Sequence, residues 1–338
     1  MTDELLSSCV LPHLNNAVLS ELLDSAVLEA GRERVALTID SYVVTPLEFP
    51  GGDIGKLAVC GTVNDLTMVG ARPLGLALAV VAQEGLEQAL LDRIIRSVGE
   101  MARAAGVNIV TGDTKVVERG VLGAQGPGLI LTTAGVGLLP ISPEAERHLD
   151  PRRVRPGDMV LITGRVAEHG LAVMLARHLP EAEIKVQSDV APLNGLMESL
   201  WGCAEVQADP AALVFLRDPT RGGLSGLAAD LAQRARVRVV LEEEVIPVAP
   251  AVRHAAGLLG LDLLEVANEG KAVLVVRPEA AQAVLAALRR HALGRDAAII
   301  GRIEPVPDGG MPGVELITTI GGRRLIQKPF GEQVARIC

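Results

Sequence analysis

The stretch Phe49-Pro50-Gly51-Gly52-Asp53-Ile54-Gly55-Lys56-Leu57-Ala58-Val59-Cys60-Gly61-Thr62-Val63-Asn64-Asp65 decides how this chain is read. It opens on Pro and paired Gly, which punctuate a loop, and continues with apolar residues at helical spacing. A helix is predicted over Lys56–Val69. Upstream, Val35–Ile39 is an apolar run closed by Asp40. Downstream, Leu74–Val81, Ile109–Lys115 and Leu129–Val136 are β-branched or Leu-rich runs bounded by Gly, Pro or Asp. All four read as strands. Leu86–Ala105 has helical spacing and ends at Gly106, as a C-cap should. Gly51–Lys56 is close to a phosphate loop in composition, but it is one residue short between glycines. Leu57 also stands where a Ser or Thr must bind Mg²⁺. No spaced Gly-x-Gly-x-x-Gly follows a strand either. Neither a Walker ATPase nor a Rossmann dehydrogenase is supported.

Beyond Pro140–Pro156, a connector rich in Pro, Arg and His, the pattern starts again. Met159–Thr163, Val214–Arg217, Val237–Leu241, Val273–Val276 and Ala298–Arg302 read as strands. Leu171–His178, Pro192–Ala204, Gly223–Ala235, Ala249–Leu259 and Pro278–His291 read as helices. The parse is α/β in two halves, 1–150 and 151–324, at about 150 residues per domain. Past Arg324 the pattern stops, and Leu325–Cys338 reads as a flexible tail.

Of 338 residues, 49% are hydrophobic, which is enough for a substantial core. One Trp, one Tyr and three Phe leave few platforms for stacking bases. With a net charge of −9 and no basic run, nucleic acid is not an expected partner. An anionic substrate must be drawn by a local site, because the global field repels it. No signal peptide and no stretch of about 20 apolar residues is present, so a cytoplasmic protein without membrane spans is expected. Cys9, Cys60, Cys203 and Cys338 lie far apart, which fits a reducing compartment and excludes a thiolate zinc site.

Carboxylates recur in polar, Gly-flanked contexts: Asp24, Asp40, Asp53, Asp65 and Asp113. A carboxylate where an apolar strand opens suits Mg²⁺, a hard cation that takes oxygen ligands and substrate phosphates. Any one of them serves more often as an N-cap or Asx turn; several in one half weigh toward the metal. In Asp218-Pro219-Thr220-Arg221-Gly222-Gly223, adjacent glycines before a helix let backbone N–H groups approach an anion, and Arg221 adds charge. Glu269, in Asn268-Glu269-Gly270-Lys271 before a strand, is either a general base tuned by Lys271 or part of an ordinary turn. Cys338 is a terminal thiol near its ordinary pKa, and pattern alone gives it no role.

The strings Thr38–Val44, Phe49–Asp65, Val110–Val117, Thr220–Gly223 and Ala267–Lys271, with the ending Arg336-Ile337-Cys338, resemble the HypE family. This is the hydrogenase-maturation branch of the PurM-like (aminoimidazole ribonucleotide synthetase) superfamily, and the likeness runs in order over essentially the whole chain. The resemblance implies a PurM-like two-domain fold and a homodimer whose N-terminal domains share a β-barrel-like core, with ATP and Mg²⁺ beside it. It implies that a HypF carbamoyltransferase loads Cys338, that ATP-driven dehydration gives a thiocyanate, and that cyanide passes to the HypC–HypD complex. It makes Cys338, Lys115 and Glu269 the catalytic groups. Asp24, Asp40, Asp65 and Asp113 are the implied metal carboxylates. Lys56, Asn64, Asp113, Thr114, Arg221, Gly222 and Gly223 are the implied nucleotide contacts.

A tail of 14 residues extends up to roughly 45 Å, far enough to load at a partner and swing back. Three features depart from the family pattern. The His- and Gly-rich segment that members carry upstream of the Asp3–Leu11 helix is not in this sequence. Ala335 replaces a usual Pro, and Ala167-Glu168-His169-Gly170 stands for Gly-Asp-His-Gly, so Glu168 is given no role. Two other readings are open: a PurM-like kinase or synthetase acting on a free small molecule, and a non-catalytic carrier.

Overall fold

The strands of the first half alternate buried and open positions, and that alternation builds one sheet with one covered face. A computed structural model describes residues 11–14, 16–21, 23–123, 128–139 and 149–328; Cys338 lies outside the described residues. The first half contains β1 (Ala26–Ala30), β2 (Glu33–Tyr42), β3 (Glu48–Phe49), β4 (Gly52–Asp53), α1 (Ile54–Met68), β5 (Arg72–Gln83), α2 (Gln88–Ala104), β6 (Ile109–Val117) and β7 (Leu129–Leu138). The sheet order is β1-β2-β7-β5-β6, antiparallel except for the pair β5–β6, which α2 connects. Helix α1 starts where Asp53 caps it, its side chain accepting the Lys56 N–H at 2.9 Å. It is buried almost all round, between this sheet and the second half. Helix α2 turns Ile94, Val98 and Ala102 inward at a spacing of one turn.

The second half continues with β8 (Met159–Ile162), α3 (Glu168–His178), α4 (Asn194–Trp201), α5 (Ala204–Ala208), β9 (Leu213–Arg217), α6 (Gly223–Ala235), β10 (Arg238–Glu242), α7 (Pro250–Leu259), β11 (Val273–Val276), α8 (Pro278–Arg290), β12 (Ala298–Glu304), β13 (Gly313–Ile317) and β14 (Arg323–Ile326). Its seven strands run in the order β14-β13-β10-β12-β8-β11-β9. Successive residues of β8 and β11 feed two cores. Val160, Ile162, Val273 and Val275 pack with α3, α6 and α7, whereas Leu161, Leu274 and Val276 pack with α4 and α8. Period two puts one apolar residue on each face in turn, so both faces need helical cover.

The expected α/β halves are present, with differences at their margins. The run Pro192–Ala204 is two helices, α4 and α5, separated at Gly202. The tail begins later than expected, because Leu325 and Ile326 belong to β14, paired with Glu315 and Val314 of β13. Those strands alternate with charged residues (Arg323, Arg324, Glu315), which hid them from an apolar-run reading. The two halves also share a core, since Val173, Val190 and Ala267 pack among the α1 and α2 residues of the first half.

Candidate active site

Between the halves the chain places an extended segment and two turns, and most of the expected site residues gather there. The segment Gln187–Leu193 crosses from the second half onto the first without regular structure. The Ser188 N–H donates to the Pro50 carbonyl at 2.8 Å. Asn64 of α1 holds the same segment: its Nδ2 donates to the carbonyls of Ala191 (3.1 Å) and Glu269 (3.2 Å), and its Oδ1 accepts the Leu193 N–H at 2.8 Å. Asn64 was expected to contact nucleotide, but these backbone bonds occupy its amide; it is a strut. Lys56 likewise turns back on its own loop, donating to the Gly51 carbonyl at 3.1 Å. Asp53 is an N-cap, the ordinary use of such a residue.

The carboxylates fall into two groups. Thr38, Asp40 and Tyr42 point to the covered face of the first sheet, where Asp65 of α1 accepts the Thr38 hydroxyl at 2.9 Å. Burial, then the anions of Asp218 and Asp24, push the Asp65 carboxyl well above the usual carboxylate range. Burial and the Asp24 anion raise Asp218 to about 8, against the opposing Arg217 cation. Asp40 is raised by burial, with Arg221 opposing. Asp24 pairs with Arg217 at 2.7 Å and forms one wall of an 820 Å³ cavity also lined by Arg152 and Arg234. Asp218 and Arg217 were not singled out by sequence; their signal is the end of strand β9, where an apolar run gives way to charge at the mouth of the cleft.

Asp113 and Lys115 are elsewhere. The register pairs Asp113 with Ala79 and Lys115 with Val81, on the outer face of the first sheet, while Thr114 beside Val80 turns inward. Lys115 and Asp113 form an ion pair at 3.0 Å, with both side chains more than half exposed. Ile39, 70% exposed, and Leu37 share this outer face by register. Within one chain, therefore, Asp113 does not join Asp24, Asp40 and Asp65, and Lys115 does not face Glu269, because strand alternation separates them. Among the described residues no three His, Cys, Asp or Glu side chains stand close enough to hold a metal ion. The expected metal set is thus not a preformed cage. Carboxylates made so reluctant to ionise by burial and by one another nevertheless suit a divalent cation, which would supply the missing counter-charge.

Glu269 sits at the centre. It is buried, and its Oε1 has no hydrogen-bond partner. Burial, then Asp218, Asp189 and Asp40, raise its carboxyl well above normal, and Arg221 pulls the other way. Arg221 therefore stands near both Glu269 and Asp40, at the head of α6. Gly222 and Gly223 have φ of 77° and 60°, and a Cβ on Gly223 would strike the carbonyls of Leu264 and Val266. Only glycine gives this close turn, in which the Gly223 N–H donates to the Thr220 carbonyl at 3.0 Å and the Ser225 N–H to the Leu264 carbonyl at 2.8 Å. The neighbouring Asn268 is wholly enclosed, its Oδ1 accepting the Ala167 N–H at 2.7 Å. This is more than an ordinary turn before a strand. Chemically, the arrangement offers a buried carboxyl of raised proton affinity with a cation, Arg221, opposing that rise.

Comparison with known proteins fits this geometry. Residues 23–139 match the model of the AIR synthase related protein N-terminal domain, and residues 155–312 match its C-terminal domain. The carbamoyl dehydratase HypE of Bradyrhizobium diazoefficiens is 47% identical over 93% of this chain and 86% of its own. The chain belongs to the HypE family. A HypE solved in complex with HypF superposes with a TM-score of 0.84 at 39% identity, covering 96% of this chain and 99% of that one. A HypE solved in complex with ATP has a TM-score of 0.82 at 38% identity, covering 100% and 96%. The PurM-like fold expected from the sequence is therefore present, as is the maturation-enzyme family. Among the described residues no helix is long and apolar enough to cross a membrane.

Proposed function

We propose that this chain uses ATP to dehydrate a carbamoyl group carried on Cys338, giving a thiocyanate, and that a HypF carbamoyltransferase loads that thiol. The observation that carries the reading is Glu269: a buried carboxyl of raised proton affinity with an unpartnered oxygen, beside Arg221 and the Gly222-Gly223 turn. Dehydration of an amide-like group requires three things. The oxygen must become a leaving group, which phosphorylation by ATP achieves. The N–H protons must be taken up by a base whose pKa lies near the working pH. Water must be excluded, or the activated carbon hydrolyses. In balance, the carbamoyl oxygen takes the γ-phosphoryl group and ADP leaves. The C–O bond then breaks as phosphate departs, and two N–H protons are lost, at least one of them to Glu269.

Mg²⁺ would screen the phosphate charge, and Asp40 and Asp65, with Asp24 and Asp218, would hold it. The tail can reach. Lys328 is pinned to Asp230 of α6 at 3.1 Å. Asp230 lies about 10 Å along the helix from Gly223. The ten remaining residues extend up to about 35 Å.

We infer further that the chain acts as a homodimer, with a second copy covering the outer face that exposes Leu37, Ile39 and Val110. Asp113 and Lys115 would work from that interface. Transfer of the cyanide to a HypC–HypD complex completes the reading. Intact-mass measurement tests it. Incubation with carbamoyl phosphate, ATP and HypF should add about 43 Da at Cys338, falling to about 25 Da as dehydration proceeds. A gain that persists at Cys338→Ala, or that never falls with ATP, overturns it.

A further inference from the structure

The segment that joins the halves carries one carboxylate that the chemistry above does not use. Asp189 has no exposed side-chain surface and lies in neither a helix nor a strand. Its Oδ1 accepts the backbone N–H of Glu269 at 3.2 Å. Its Oδ2 lies 3.1 Å from the Lys271 ammonium, and Lys271 also faces Glu168 at 3.6 Å. On the other side of the same residue, the Glu269 carbonyl accepts from Asn64. Gly270 has no room for a Cβ, which would collide with the Asp189 carbonyl. Lys271 in turn needs Gly164, where a Cβ would meet its Cε at 2.8 Å. Residues 269–271 thus wrap around residue 189, and the Glu269 backbone is fixed at both ends while its carboxyl stays unpartnered.

A buried anion is stable only if paired, and Lys271 is that pair. We propose that Asp189 is a positioning residue for Glu269, holding its peptide so that the carboxyl faces the reacting group, with Lys271 as the counter-charge that keeps Asp189 in place. The inference rests on Glu269 being the base of the proposed dehydration. The groups facing Glu269 are Asp189, Asp218 and Asp40, with Arg221 opposing, and the buried Tyr42 of β2 and Cys60 of α1. Lys271 and Glu168 lie behind Asp189.

The test uses the full chain, pre-loaded by HypF, and follows the fall from the carbamoyl to the cyano mass against ATP concentration and pH. The wild type must convert first; if it does not, the functional reading has failed, not this one. Asp189→Ala should lower kcat at least tenfold with the KM for ATP within twofold of wild type. Asp189→Asn keeps an acceptor for the Glu269 N–H but not the charge. It should recover at least part of kcat and move the acid limb of the kcat profile to lower pH, because an anion beside the base has been removed. A residue that only braces the fold would raise KM and lower kcat together and leave the limb in place. That outcome, or an unaltered kcat in both variants, overturns the proposal. Should the Ala variant not fold, the Asn variant's kcat and pH limb decide alone, since loss of activity with an unmoved limb also overturns it.

Discussion

Neutralising Asp218 should make the metal-free protein less sensitive to alkaline pH, and the size of the effect follows from its surroundings. Asp218 is buried against the Asp24 anion, with Arg217 opposing, and holds its proton to about 8 in the folded chain against 3.8 as an ordinary aspartate. A raised pKa means that the group stabilises fully below about pH 4 and loses that contribution as pH rises through about 8. Between pH 6 and pH 8 one such group loses about 2 kcal/mol, at about 1.4 kcal/mol per unit and tapering near the folded pKa. For domains of this size that corresponds to a fall in Tm of about 4–8 °C. Thermal unfolding in the presence of EDTA, followed by circular dichroism at pH 6, 7 and 8, measures it. Asp218→Asn should flatten the slope and melt above wild type at pH 8, because the amide needs no proton and also relieves Asp65 and Glu269, on which the Asp218 anion acts. Equal slopes in the two proteins would refute the reasoning. So would a wild type whose stability rises from pH 6 to pH 8.

Glu269→Gln should leave carbamoyl loading intact and slow dehydration by about 10²–10⁴-fold, read as a persistent carbamoyl mass; rapid loss of that mass would deny Glu269 its role as base. Asn64→Ala strands the buried carbonyls of Ala191 and Glu269 and the Leu193 N–H, and should destabilise by about 3 kcal/mol or more in urea unfolding. Gly270→Ala forces a methyl group into the Asp189 carbonyl and should cost about 2 kcal/mol or more, with a matching drop in Tm. Ile39→Asp places a charge on the exposed outer face of the first sheet; sedimentation should then register a shift from dimer to monomer, and an unchanged mass would argue against that face as the interface.

The sequence by itself determined much of this protein. Apolar runs with Gly, Pro and Asp at their ends mark the central strands, and Asp53 before a 15-residue apolar helix marks α1. Short charged strands such as β14 escaped, because Arg323, Arg324 and Glu315 break the apolar signal that buried strands carry. Local motifs also located the Gly222-Gly223 turn at the head of α6, Glu269 upstream of β11 and the carboxylates of β2, α1 and β6, since their chemistry is readable from neighbours.

What sequence did not decide is which of these residues meet. Asp113 and Lys115 sit two apart and both face outward, a matter of strand register that one residue of slip would reverse. Asp189 carries no local signal at all. It lies in an irregular stretch, and only the crossing of that stretch between the halves brings it to the Glu269 peptide, 80 positions away in the chain. Periodicity reports the face a residue occupies within its own element. Burial of charge, the pairing of Lys271 with Asp189 and the unpartnered oxygen of Glu269 arise from contacts between elements, and only the tertiary structure sets those.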